Sequence, residues 1–360
     1  MDKYEEFRKI LDSDPSGAPK SPAFDKILKI LFTEEDIDLL LHMNFGGKNA
    51  NDIAASASVS VESAAARLEA MADRGLVFHR DKGEERLYGI LATIPGLFEF
   101  PFMKEGATSM QDKLSLLWDE YKRDGQAHGF AGNPTPLMRV VPVKKSLDAR
   151  STIYSYDEVA EIINNADYIG LGGCACRISL NKCDKPNDVC IMFGHIAKYL
   201  VERNFAKRAD KSEALDALDR AEKAGLVHAS TNTKEGAAVI CNCCSCCCTI
   251  LRGRLELGFA NSFAPSRFTA ISDTDKCTGC ATCIKKRCPA KAIELIEKKA
   301  VVDENKCIGC GLCVTECKPS AMKLQDRKTV PEIPTNGKEL VFKVLSEKGK
   351  LDAFMKNLKK

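Results

Sequence analysis

The sequence predicts a multidomain α+β protein, and three observations support that expectation. All eighteen cysteines of the 360-residue chain fall between Cys174 and Cys317. Ahead of them, residues 23 to about 95 show several stretches of helical periodicity and then one hairpin pattern. Near the end of the cysteine region a spaced pattern repeats with a period of thirty residues. A chain of 360 residues suits two or three domains with real cores. At 44% hydrophobic and 29% charged it is neither fibrous nor disordered. The expected organisation is a flexible lead-in at 1–22, a helix-and-hairpin domain at 23–104 and a helical connector at 105–150. A cysteine-rich mixed α/β domain at 151–265, a duplicated cysteine domain at 266–328 and a Lys-rich helical tail at 329–360 complete it.

The start, MDKYEEFRKI, has no apolar leader segment, and no apolar run approaches the roughly 18–20 residues that span a bilayer. A cytoplasmic location is the expectation. In a reducing compartment closely spaced thiols mean metal or redox chemistry rather than a disulfide scaffold. The net charge of +3 is uninformative as a total. The tail from Lys338 holds seven lysines against three acids, which leaves the rest of the chain near neutral.

Residues 1–22 carry Pro15, Gly17, Pro19 and Pro22 among charges and read as poorly ordered. Phe24–Phe32 is apolar at helical spacing, and Thr33 with Asp36 forms a capping box for a helix running to Met43. A short helix at 50–56 and a longer one from Val61 to Arg74 come next, with Gly75 at the C′ position. Leu76–Phe78 and Leu87–Ile90 flank the turn Asp81-Lys82-Gly83 as a hairpin. Three helices and a hairpin in this order resemble a winged helix-turn-helix over about 70 residues. That resemblance implies DNA binding through helix 61–74, and charge argues against it. Residues 21–91 hold eight basic and twelve acidic residues, whereas duplex binders neutralise about 6–10 phosphates. A protein-docking or structural role is the expectation, and DNA is not an expected partner.

A helix is expected near 108–123, and Ser155 with Glu158 reads as a capping box for a helix to about Asn165. Asp167–Ile169 reads as a strand running into Gly170-Leu171-Gly172-Gly173. The glycines lack the spacing of a dinucleotide loop. Gly173 is instead expected to let the backbone approach a metal cluster, because Cys174 is the next residue. No nucleotide, flavin or radical-SAM signature is present.

The strongest signal is Cys277-x-x-Cys280-x-x-Cys283-x4-Cys288-Pro289, repeated as Cys307-x-x-Cys310-x-x-Cys313-x3-Cys317. The flanks Asp275-Lys276-Cys277-Thr278-Gly279-Cys280 and Asn305-Lys306-Cys307-Ile308-Gly309-Cys310 repeat as well, so this is a duplication. Residues 268–326 resemble the bacterial dicluster ferredoxins. Carried over from that resemblance, Cys277, Cys280, Cys283 and Cys317 would hold one [4Fe–4S] cluster. Cys307, Cys310, Cys313 and Cys288 would hold the second. Gly279, Gly309 and Gly311 would permit the turn geometry and close approach. A zinc ribbon needs two separated ligand pairs, not eight evenly phased thiols. Two departures from the family pattern stand out: an extra residue before Cys288, in Ile284-Lys285-Lys286-Arg287, and Lys318 between Cys317 and Pro319.

The other ten cysteines form two sets. Cys174, Cys176, Cys183 and Cys190 suffice for a third [4Fe–4S] cluster. Cys241, Cys243, Cys244, Cys246, Cys247 and Cys248 offer ligands for a fourth, or are shared between sites. Adjacent cysteines in an extended chain face opposite ways, so Cys241, Cys243 and one of 246–248 are expected on one cluster. Expected helices at 189–204 and 211–224 bring the two sets together. The open alternatives are two relay clusters, one cluster with an iron open to substrate, and a zinc or other thiolate site or thiol pair. Arg177 is read equally as a donor to a cluster sulfide or as a surface cation. His195 is read as a core or interface histidine, and His228 is a weaker candidate ligand.

Taken together, residues 23–326 resemble multi-cluster 4Fe–4S proteins of anaerobes. That resemblance implies an electron-transfer protein, or the electron-transfer subunit of an anaerobic oxidoreductase, with three or four clusters and with donor and acceptor proteins as partners. The alternatives are a redox- or oxygen-sensing winged-helix regulator and a reductase with a substrate-accessible site in the middle domain. Oligomeric state is left open.

Overall fold

A computed structural model describes residues 2–104, 109–147, 158–330 and 332–359. Helix α1 (Lys3–Asp12) is capped by the Asp2 carboxylate and buries Phe7, Ile10 and Leu11. Residues 2–22 therefore correct the expected flexible lead-in: the i, i+3, i+4 apolar stripe of α1 outweighs the prolines. Pro22 opens α2 (Pro22–Leu31) at its first turn, behind a Ser21 cap, where a missing N–H costs nothing. The Thr33–Asp36 capping box starts α3 (Glu34–Leu40). Next come α4 (Ala50–Ala57), α5 (Val61–Asp73) and the antiparallel hairpin of β1 (Val77–Lys82) and β2 (Glu85–Ile90).

The chain continues through α6 (Phe100–Met103) and α7 (Ser109–Tyr121), then one π-helical turn at Lys122–Gln126 and α8 (Ala127–Ala131). Helix α7 lies on α2 through aromatic packing. The Phe24 ring stacks on Tyr121 at 4.4 Å and meets Trp118 edge-on at 6.0 Å.

The central element is a six-stranded antiparallel sheet. Its strands are β3 (Met138–Val140), β4 (Ile169–Gly172), β5 (Cys190–Phe193), β6 (Ala206–Ala209), β7 (Val227–Thr231) and β8 (Val239–Cys243). They lie in the spatial order β3-β7-β8-β5-β4-β6. Three expectations change here. The connector at 105–150 supplies edge strand β3, so it is not purely helical. Gly170 and Gly172 lie within β4 rather than in a loop. A Cβ on Gly172 would strike Met103 and Met192, so these glycines serve close packing. The expected helix at 189–204 is a four-residue buried strand, β5, and then a separate helix over Gly194–Glu202. The Ser155 capping box lies outside the described residues. Helix α9 (Val159–Asn164) begins after Glu158, which makes no side-chain cap.

Helices α11 (Gly194–Glu202) and α12 (Lys211–Lys223) pack on the sheet, while α10 (Ala175–Leu180) and α13 (Thr249–Leu255) follow β4 and β8 in sequence. The Asp210–Glu213 capping box opens α12 as expected. Strand β9 (Phe268–Ser272) pairs with β12 (Met322–Asp326), and β10 (Ile293–Ile296) with β11 (Lys299–Val302). Helix α14 (Leu312–Thr315) lies between them in sequence. The tail forms α15 (Gly337–Glu347) and α16 (Leu351–Leu358), which return to the N-terminal helices. Phe354 stacks on Phe45 at 5.8 Å, Lys350 pairs with Asp12 at 2.8 Å, and Lys348 donates to the carbonyls of Pro15 and Gly129.

Two large apolar cores take in cysteines, as does a small one about Cys244 and Cys247. One runs from Phe7 to Phe205 and includes Cys174 and Cys190. The other joins Val140, Cys243, Cys248 and Phe263 to Cys307, Cys310, Cys313 and Leu324. Each large buried apolar side chain contributes roughly 1.5–3 kcal/mol, so the sheet and the duplicated segment are held by shared packing.

Candidate metal centres

The duplicated segment builds two cavities from its thirty-residue period. Cys277, Cys280, Cys283 and Cys317 line one of about 350 Å³ with Ala300 and Met322. Cys288, Cys307, Cys310 and Cys313 line another of about 330 Å³ with Ala270 and Ile293. Backbone donors follow the same symmetry. The N–H groups of Ala300 and Ala270 point at the sulfurs of Cys277 and Cys307 (3.3 and 3.4 Å). Those of Ala292 and Met322 point at Cys288 and Cys317 (3.2 and 3.3 Å). Four N–H groups aimed at four sulfurs suit anionic thiolates carrying a negatively charged cluster.

The two cavities differ in exposure. Cys280 is exposed, while Cys307, Cys310 and Cys313 are buried. The Ala300 and Gly279 N–H groups hold the Cys277 thiol below its ordinary pKa, and the Thr282 N–H does the same for Cys280. Burial pushes Cys310 up to about 12.

Gly279 and Gly309 have φ of +72° and +70°. A Cβ there would lie 2.5 Å from the Lys298 carbonyl oxygen and 2.2 Å from that of Phe268. Gly311, at φ +78°, abuts Ser146 of the connector. The three glycines thus admit neighbouring chain. The extra residue before Cys288 is absorbed by a π turn at Cys283–Arg287, closed by the Cys288 N–H on the Cys283 carbonyl at 2.8 Å. The second repeat has the α-helical turn α14 at the same place.

In the middle domain the structure regroups the expected sets. Cys190 stands opposite Gly172 in the β4–β5 pairing, and the β5–β8 register puts it beside Cys241. Gly173, where a Cβ would meet Ile178, leads into Cys174 and α10. Thiol–thiol interactions then link Cys174 to Cys190, Cys190 to Cys241, Cys241 to Cys243, Cys243 to Cys248 and Cys248 to Cys176. Hydrogen bonds from Cys190 and Cys243 bring Cys241 down to about 6. Six thiols thus share one end of the sheet.

Cys183 does not join Cys174, Cys176 and Cys190, which corrects that expected quartet. It sits with Cys244, Cys246 and Cys247, their ligand atoms all within 4.8 Å of one another. The division follows from strand geometry, because Cys241 and Cys243 lie on β8 whereas 244–247 turn away beyond its end.

Two buried cations face the six-thiol site. Arg177 is 1% exposed, which removes the surface-cation reading, and donates to the Asn242 carbonyl at 2.7 Å. Burial opposes its charge, but Cys174, Cys190 and Cys244 outweigh that penalty and raise its pKa. Lys122, in the π turn, is 4% exposed, lies 3.5 Å over the Phe98 ring, and has no hydrogen-bond partner for its ammonium. Burial lowers its pKa against the pull of Cys176. A buried cation is costly unless negative charge stands nearby; Glu99 and Asp119 supply part of it for Lys122, and thiolates holding an anionic iron–sulfur cluster fit the remainder. Sequence reasoning missed Lys122, since nothing local marks a buried lysine. His195 is exposed, while His228 is buried with Nδ1 2.6 Å from Asn242 Oδ1, and neither joins a thiol group.

A family model described as a 4Fe–4S dicluster domain matches residues 269–318. No curated protein and no solved structure matches the chain. The C-terminal segment is therefore a 4Fe–4S domain of dicluster type, and the middle domain adds a further thiol group able to hold a metal ion.

Proposed function

We propose that the chain is an electron-transfer protein, or a subunit of an oxidoreductase, that relays electrons between an exposed cluster and a buried centre in the middle domain. One observation carries this reading: Cys243 and Cys248 share a single apolar core with Cys307, Cys310 and Cys313. The order would run from Cys277/Cys280/Cys283/Cys317 at the surface, through Cys307/Cys310/Cys313/Cys288, to the six thiols. Exposed Lys285 and Lys286 beside the outer site would favour an acidic redox partner. The residues' own part is to hold thiolates, exclude water from the inner sites and set the local charge.

An EPR-monitored redox titration of anaerobically purified protein tests this. More than two reducible centres, with spin–spin broadening between neighbours, are expected. Only two ferredoxin-type centres would refute the relay.

A second reading, a reductase, is favoured by one feature. A small, partly open pocket lined by Lys122, Gln126, Thr249 and Arg252 adjoins the six-thiol site, with Thr249 Oγ1 3.6 Å from Cys176 Sγ. Small-ligand shifts of the third centre's EPR signal would support that reading, and a spectrum indifferent to ligands would remove it.

A further inference from the structure

Zinc and iron–sulfur clusters demand different sulfur spacings. Four thiolates around one tetrahedral ion, with metal–sulfur bonds of about 2.3 Å, stand about 3.8 Å apart. A four-iron cluster puts an iron between each thiolate and the centre, which spreads the same sulfurs well beyond that.

The quartet Cys183, Cys244, Cys246 and Cys247 has the narrow spacing. All four ligand atoms lie within 4.8 Å of one another, with Cys183 and Cys244 at 3.9 Å and Cys246 and Cys247 at 3.8 Å. Among the described residues it is the only group of three or more such ligand atoms drawn so close. The two ferredoxin quartets are therefore wider, although built by the same chain and from the same residue type.

We infer that these four cysteines hold a single tetrahedral zinc ion, separate from every iron–sulfur centre of the molecule. Its surroundings suit a closed structural site. Val189, Ala217, Ala221 and Leu226 pack about Cys244 and Cys247. The Lys185 and Lys182 N–H groups serve the sulfurs of Cys183 and Cys247. Four thiolates and one divalent ion carry two net negative charges. The buried Arg177, which faces Cys244, and the lysines at 182 and 185 offset them.

The ion would tie the 181–189 loop to the turn after β8, and both pack on α12, the helix whose last carbonyls Arg287 of the ferredoxin segment also clasps. Zinc has no redox chemistry, so this joint would keep its shape while the neighbouring centres change charge. The inference stands whether or not the electron relay does.

Metal analysis and zinc-edge X-ray absorption on the intact, anaerobically purified chain test it. One zinc per chain, retained against a chelator, with a shell of four sulfurs at about 2.3 Å is expected. Cys183→Ser and Cys246→Ser should each remove that zinc and leave the iron content unchanged. Zinc absent from the wild-type chain, a first shell containing nitrogen or oxygen, or loss of iron in either variant would overturn it. Should a variant fail to fold, the wild-type absorption spectrum still decides.

Discussion

Charge at single residues sets what the six-thiol site can hold. Lys122 has no acidic side chain hydrogen-bonded to it, yet it is buried beside Cys176. A fixed positive charge favours the reduced, more negative state of a nearby cluster. Lys122→Met should lower the potential of the third centre by on the order of 1–2 kcal/mol per electron, at unchanged iron content. A potential that stays put or rises would show that the ammonium does not face the centre. Gly309 makes a second test. An alanine there must take φ near +70° and drive its Cβ into the Phe268 carbonyl. Gly309→Ala should cost at least about 2 kcal/mol and shift thermal unfolding down. An unchanged midpoint would contradict the close approach. The glycines were legible in the sequence by position, but their neighbours were not, because those come from strands brought up by the fold. Arg177 shows the same limit: its spacing next to Cys176 is plain, whereas its burial depends on the sheet above it.

At the scale of elements, the π turn Cys283–Arg287 turns one inserted residue into a contact. It aims the Arg287 guanidinium at the carbonyls of Leu312, Lys223 and Glu222 and at Thr315 Oγ1, at 2.9–3.3 Å. A cation over the last carbonyls of α12 is favoured by the helix dipole. Arg287→Ala should destabilise the chain by about 2–4 kcal/mol and raise hydrogen exchange at the end of α12. Unaltered exchange there would contradict the clasp. The insertion was visible in the sequence as a departure from the ferredoxin spacing; its use was not. Strand β5 is hidden from the sequence for a different reason. Four consecutive buried residues, Cys190–Phe193, carry no periodicity that separates a strand from the start of the helix after them. The grouping of the thiols is hidden with it, since the β5–β8 register is what joins Cys190 to Cys241 and leaves Cys183 to the other group.

Across the whole molecule, packing decides which surfaces remain free. Both arginines of α5 and its cap pair with the buried Asp36, Arg67 at 3.7 Å and Arg74 at 3.5 Å, while staying about two-fifths exposed. Glu69 and Asp73 on the same helix pair with Arg203 beyond α11, at 2.8 and 2.7 Å. The helix that would read DNA is therefore engaged with the rest of the protein. Gel-shift assays with duplex DNA should show no salt-sensitive complex in any redox state, and a specific shift would restore the regulator. The tail lysines Lys343, Lys348 and Lys350 are likewise bound within the chain, which leaves the tail fewer free charges than its seven lysines suggest. Among the described residues no helix is long and apolar enough to cross a membrane. The ferredoxin segment could be read from local spacing because its ligands are close in sequence. The middle domain could not, because its thiols meet only after about fifty intervening residues have folded into a sheet. Iron and acid-labile sulfide per chain, measured on anaerobically purified protein, test the relay most directly. About 12 of each are expected, eight for the ferredoxin segment and four for the six-thiol site, falling to about 8 in Cys243→Ser. A wild-type chain with only about 8 would leave the middle domain without an iron centre and contradict the relay.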